Sequence, residues 1–242
     1  MKKFYIPAVA IFILLFISCE KDEPVSPQPP GHLIEIQDME VGQVNYYLRY
    51  VGQKYWEENS NQLFEYTPDT LKVEIIDKVD GNFLFEESFT PGSALLEEEN
   101  NEWYAKTYRY FVEITDNQLL IRKADTEDYN THLIYAFSLG DWTGSGDTLT
   151  LPLDTYTETE TQIDGWKTTS GYSESYREYF AKNVTLLGHN FGTANVIVNN
   201  VPMQVDGNGM TYVYNRTYGF IRTFTYSWWT GEGVGWDLMA EE

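Results

Sequence analysis

The sequence predicts an all-β, mainly antiparallel protein, built as a single curved sheet or half-barrel or as a β-sandwich, with at most one or two short helices. Three observations carry this expectation. Apolar residues alternate with polar ones at period two in several stretches. Asp-Gly and Asp-Asn pairs stand between such stretches, where tight hairpin turns need residues that tolerate positive φ. Strand-favouring aromatics are abundant, with 19 Tyr and 13 Phe among 242 residues.

Taken in order, the first strand runs from Gln43 to Val51, with Val44, Tyr46, Leu48 and Tyr50 on one face and Gln43, Asn45 and Arg49 on the other. Thr70 to Asp77 follows, where Leu71, Val73 and Ile75 oppose Thr70, Lys72 and Glu74. Asp80-Gly81 turns the chain so that Phe83, Phe85 and Phe89 return on one face as a hairpin. Glu87 shares that face, where burial without a partner would raise its pKa; it is expected at a strand end, its carboxylate reaching water. Tyr104 to Thr115 and Gln118 to Lys123 form a second hairpin around Asp116-Asn117. Further strands are expected at Leu133 to Leu139, Thr148 to Leu153, Val184 to Leu187 and Asn195 to Asn199. The last three, Met210 to Asn215, Phe220 to Trp229 and Val234 to Met239, read as an antiparallel meander. Only Ser93 to Glu99 and Ser173 to Lys182 look helical, and both are short.

The chain starts as an export signal does: Lys2 and Lys3, an apolar run from Phe4 to Ile17, then Ser18 before Cys19. Those 14 residues span roughly 21 Å as a helix, short of the ~30 Å needed to cross a bilayer. Phe16-Ile17-Ser18-Cys19 resembles the lipobox of bacterial lipoproteins. That resemblance implies cleavage between Ser18 and Cys19 and diacylglycerol on the Cys19 thiol. Cys19 is the only cysteine, so no intramolecular disulfide forms. The tetrad Glu20-Lys21-Asp22-Glu23 resembles the export signal of Bacteroidota surface lipoproteins, which implies the outer membrane, with its inner and outer faces both open.

The expected organisation is therefore a signal peptide at 1–18, a lipidated cysteine and proline-rich tether at 19–31, and one β-rich domain at 32–242. Residues 20–31 hold four of the nine prolines, making a semi-rigid spacer of roughly 37 Å. Removal of the signal peptide leaves 14 basic against 37 acidic side chains, a net charge of −23. Such acidity argues against a nucleic-acid partner, because phosphates require clustered Lys and Arg.

The chemistry-bearing patterns point away from catalysis. No G-x-S-x-G elbow, no H-E-x-x-H, no metal-spaced Cys-His set and no phosphate-cradling glycine loop occurs. No catalytic residue, metal or cofactor is therefore assigned. His32, His132 and His189 are expected to be surface or hydrogen-bonded structural residues, and Asp206-Gly207-Asn208-Gly209 a β-turn rather than a calcium loop. The acidic runs Glu97 to Glu99 and Asp125 to Asp128 are expected as solvated loops. A carboxylate pair of glycosidase type stays open as a remote alternative, with no pair singled out.

Aromatic excess is the feature above background. Phe220, Phe224, Tyr226 and Trp228 share one face of a strand, as core or as ligand wall, and Trp229 faces the other way. Trp142, Trp166, Trp228, Trp229 and Trp236 are the candidate ligand contacts, since such rings stack on sugars or line apolar pockets. The arrangement DGNG, TYVYNRTYGFIRTFTY and GWDL resembles the C-terminal strands of uncharacterised Bacteroidota lipoproteins over about forty residues. Some of these resemble the half-barrel, hydrophobe-binding fold of lipoprotein carriers. Asp69-Thr70-Leu71 and Asp147-Thr148-Leu149 resemble O-glycosylation acceptors of exported Bacteroidota proteins, though both also read as ordinary strand starts. The expected function is non-enzymatic: an envelope lipoprotein that binds or scaffolds, its partners the membrane through its lipid and an apolar ligand or envelope protein. Surface glycan binding through Trp and Tyr platforms is the alternative.

Overall fold

The computed structural model describes residues 32–53, 64–90, 93–96, 106–124, 131–134, 148–153, 160–161, 176–199, 208–227 and 232–240. Cys19, Trp142, Trp166, Trp228 and Trp229, singled out from the sequence, lie outside the described residues.

The protein is all-β. Its strands are β1 (Val44–Gln53), β2 (Phe64–Val79), β3 (Asn82–Phe89), β4 (Tyr108–Ile114), β5 (Gln118–Lys123), β6 (Thr148–Pro152) and β7 (Glu160–Thr161). There follow β8 (Tyr176–Ala181), β9 (Thr185–Leu186), β10 (His189–Asn190), β11 (Ala194–Asn199), β12 (Asn208–Asn215), β13 (Gly219–Ser227) and β14 (Glu232–Leu238). Twelve form one sheet in the order β6-β5-β4-β3-β2-β1-β14-β13-β12-β11-β8-β7, while β9 and β10 make a small hairpin. Two meanders, β1 to β6 and β11 to β14, are thus welded where β1 meets β14. All pairings in the large sheet are antiparallel except β7 with β8.

Local chemistry explains the hairpins. Asp80 and Gly81 both take positive φ, 51° and 87°, as a two-residue turn matched to strand twist requires. Beyond it β3 alternates strictly between half-buried and buried residues, the mark of a strand with one face on the core and one on water. The outer face there carries ion pairs, Glu86 with Arg109 and Glu113 with Arg122.

The sheet is curled. Leu119 on β5 and Phe220 on β13 are six strand steps apart, about 29 Å in a flat sheet, yet they line one cavity. This decides between the two expected architectures in favour of the half-barrel. Its concave face gathers Tyr47, Leu71, Val73, Ile75, Phe85, Tyr110, Val112, Ile121, Tyr212 and Leu238 into one buried cluster.

Several expectations need correction. In β1 the buried side chains are Asn45, Tyr47 and Tyr50, with Val44, Tyr46 and Leu48 only half-buried. Asn45 and Tyr47 share the concave face, and Tyr50, three residues beyond Tyr47, lies on the opposite face by simple alternation, in unbroken register with Gly235 of β14. The irregularity against β2 puts its extra residues in β2, between Tyr66 and Thr70. Ser173 to Lys182 is not a helix over its described part: Tyr176–Ala181 is strand β8, paired residue for residue with β11, so sheet pairing overrides a weak local preference. Leu133 and Ile134 are not a strand start but the end of a tight turn, with Thr131 N donating to Ile134 O at 2.9 Å. Over its described part, 93–96, the segment Ser93 to Glu99 holds a 3-10 turn, Ala94–Leu96.

Candidate functional site

The concave face holds an apolar cavity of ≈ 50 Å³. Its floor comes from the four successive strands β1 to β4 and from β13, one strand beyond β1's neighbour β14: Tyr47 of β1, Val73 of β2, Phe85 of β3, Val112 of β4 and Phe220 of β13. Its roof is the stretch preceding β1, where Ile34, Ile36 and Met39 point inward and are each less than a tenth exposed. This strap makes one 3-10 turn, Ile36–Asp38, and crosses the mouth of the half-barrel. Ile34 N donates to Asn45 Oδ1 at 2.9 Å and Ile36 N to Thr217 O at 2.7 Å. Sequence reasoning missed the strap's role; the signal was the alternation Ile34-Glu35-Ile36, which places two apolar side chains on one side of a short extended run.

Polar groups at the wall are engaged by the protein itself. Tyr47 Oη donates to Phe220 O at 2.8 Å, and the Asn45 side chain is committed to the strap. The interior therefore offers hydrocarbon contact rather than a polar anchor. An engineered apolar cavity of about 150 Å³ accepts benzene, so ≈ 50 Å³ is far too small for a lipid chain while the strap is in place.

A second wall element is the turn Thr131 to Ile134, whose Leu133 also lines the cavity. Glu87 of β3 grips it from below: Glu87 Oε2 accepts from His132 N at 2.8 Å and from Leu133 N at 3.1 Å. Glu87 is 0% exposed, so the expected carboxylate reaching water is overturned; the turn's amides replace water as donors. Burial pushes its carboxyl up to about 7, against the opposing pull of hydrogen bonds from Leu133, Thr131, His132 and Tyr110. Burial drives His132 the other way, down to about 4, although its ring nitrogen Nε2 meets Lys106 O at 2.9 Å. The imidazole sits edge-on to Phe89 and Tyr108, 4.7 Å from each ring. A carboxyl near 7 has the proton affinity of a general acid-base group. Here, however, it is sealed from solvent and holds main-chain amides, a structural task.

No family model matches this chain. No curated protein matches it either. Among solved structures, an outer membrane lipoprotein-sorting protein domain from Vibrio parahaemolyticus is similar at 8% identity, with 81% of this chain and 83% of that chain covered and a TM-score of 0.18. A likeness at that level carries no argument about fold or function.

Of the five tryptophans singled out, Trp236 lies among the described residues. It is 4% exposed and tilts against Phe89 with ring centroids 5.5 Å apart, so it is core. The opposite face of the C-terminal strands holds a second aromatic group. The rings of Tyr50 and Phe224 stack at 5.7 Å, and those of Phe224 and Tyr226 at 5.6 Å. Phe220 leaves the row expected for it because β13 shifts register between Val213 and Tyr214 of β12. Arg222 lies over Tyr50, 5.0 Å from the ring centre, and forks onto the carboxylate of Asp237, which also accepts from Tyr66 Oη at 2.6 Å.

Thr70, within one acceptor-like triplet, is 0% exposed, which suits its reading as a strand residue. His32 is exposed and His189 partly buried, its ring 4.6 Å from that of Phe191. Among the described residues no group of acidic, His or Cys side chains could hold a metal ion, and no helix is long and apolar enough to cross a membrane.

Proposed function

We propose that this chain is a lipid-anchored, non-enzymatic protein of the cell envelope, held at the outer membrane through Cys19, and that its concave face binds a hydrocarbon chain. The observation that carries the reading is the apolar cavity at the focus of the curled sheet, walled by side chains from strands that a flat sheet would hold about 29 Å apart. A sheet that curls around a fully packed core leaves no such space. The cavity, ≈ 50 Å³ and lined mainly by apolar side chains, is surface whose burial by a hydrocarbon chain is favourable. The absence of a polar anchor in the wall favours an acyl or similar chain over a sugar.

The test is titration of the mature protein, carrying Cys19→Ser so that no lipid is attached, with the fluorescent fatty acid cis-parinarate, followed by displacement with 1-alkanols of increasing length. The reading expects saturable binding, and displacement that strengthens with each added methylene. No saturable binding of any chain by the folded protein would refute it.

A further inference from the structure

We propose that the strap from His32 to Gly42 is a removable plug, and that Ile34, Ile36 and Met39 stand in the place a hydrocarbon chain takes when bound. This rests on the apolar-ligand reading above and adds where the chain lies and what must leave.

The strap is built to be separable. It is not a strand of the sheet, and ahead of Gly42 it is held by Ile34 N donating to the Asn45 side chain, Ile36 N donating to Thr217 O, and the adjacent Gln43 side chain, which accepts from Glu40 N and donates to Asp38 O. Only at Gly42 and Gln43 does it join β2 through the main chain, Gly42 N donating to Ile75 O and Ile75 N donating to Gln43 O. Gly42 itself has φ 94° with open space around it, a conformation glycine adopts freely, so the strap ends in a pivot. Val41 beside it is 54% exposed.

What the strap covers is a continuous apolar basin, against which Ile34, Ile36 and Met39 pack as members of one buried cluster. Lifting Ile34, Ile36 and Met39 would uncover the ring of Tyr47, Val73, Phe85, Val112, Ile121 and Phe220. The three inward side chains amount to about a dozen non-hydrogen atoms. A saturated chain of about that many carbons would restore the same apolar burial, since the driving force follows area rather than chemistry of attachment. Shorter chains would not repay removal of the plug. The existing cavity at the edge of the strap is where such a chain would begin to enter.

The experiment follows backbone amide exchange of Ile34 and Ile36 by NMR in the mature Cys19→Ser protein, with and without saturating 1-dodecanol. It also measures cis-parinarate affinity of the parent and of an Ile36→Ala/Met39→Ala variant, near-UV circular dichroism confirming that each is folded. The proposal expects the two amides to exchange at least 10-fold faster with dodecanol bound, 1-butanol to leave them unchanged, and the variant to bind at least 10-fold tighter. If dodecanol binds while both amides keep their protection, the plug is refuted and the apolar site stands. If neither folded protein binds a chain, both readings fall together.

Discussion

Glu87 and His132 show how two titrations set by one burial event offset each other. Glu87 rises from its ordinary 4.5 to about 7, so the stability it contributes is complete below 4.5 and is lost as pH rises through 7. His132 falls from 6.5 to about 4, so its contribution is present above 6.5 and is lost as pH falls through 4. Between about 4.5 and 6.5 the two slopes are opposite and close to equal. Glu87→Gln keeps a carbonyl for the amides of His132 and Leu133 but cannot ionise. Its stability relative to the parent should climb by about 1 kcal/mol per pH unit from 4.5 to 7. His132→Gln should show the mirror image, gaining on the parent as pH falls from 6.5 to 4. Urea unfolding of both variants across pH 4 to 7 checks this; parallel curves for all three proteins would contradict it. The Arg222 and Asp237 pair differs, since Asp237 is 0% exposed and Arg222 8%. Asp237→Ala leaves a buried guanidinium without its carboxylate and should cost about 3–5 kcal/mol in the same assay.

At the level of elements, β14 works as a bare floor. Gly235 lies opposite both Tyr50 of β1 and Phe224 of β13, and the rings meet across it. A Cβ at Gly235 would fall 2.2 Å from Tyr50 Cζ and 2.4 Å from Thr223 O. Tyr50 Oη donates to that same carbonyl at 2.9 Å, so neither ring nor backbone yields without losing a contact. Gly235→Ala should therefore cost roughly 1–3 kcal/mol, as overpacking does, read as a lowered urea midpoint at unchanged m. Here the sequence was legible in part. The Phe83-Phe85-Phe89 hairpin, the Gln118–Lys123 strand and the C-terminal meander stand where alternation and turn residues place them, because each is specified by neighbours in sequence. The inward role of Asn45 was not legible, since its partner Ile34 N belongs to a strap with no turn or motif to announce it. Tyr176–Ala181 reads as weakly helical alone and becomes a strand through β11, a partner that local pattern does not name. Glu87 looks like a misplaced charge until Thr131 to Ile134 brings its amides to it.

Across the whole molecule, the two halves of the sheet are built differently. In β3 and β4 the convex face is half-buried and carries ion pairs, whereas β13 is buried on both faces, with Ile221, Phe224 and Tyr226 each 3% exposed or less. Curling and the β1 to β14 weld follow from contacts between the chain's two ends, which is why the sequence left half-barrel and sandwich both open. Under the proposed anchoring, the 12 residues 20–31 would place the strap within roughly 37 Å of Cys19 if extended as polyproline. Cys19→Ser should move the protein from the membrane fraction to the soluble fraction of lysed cells, because stable anchoring depends on the acyl chains; unchanged membrane retention would argue for another anchor. Photo-crosslinking locates the proposed hydrocarbon chain on the concave face. A diazirine-bearing palmitoyl chain would be activated on the folded protein and the labelled residues mapped by mass spectrometry. Binding there places label on Tyr47, Phe85, Val112 or Phe220, lost on competition with 1-dodecanol. Label confined to the convex face, or indifferent to the competitor, would contradict it.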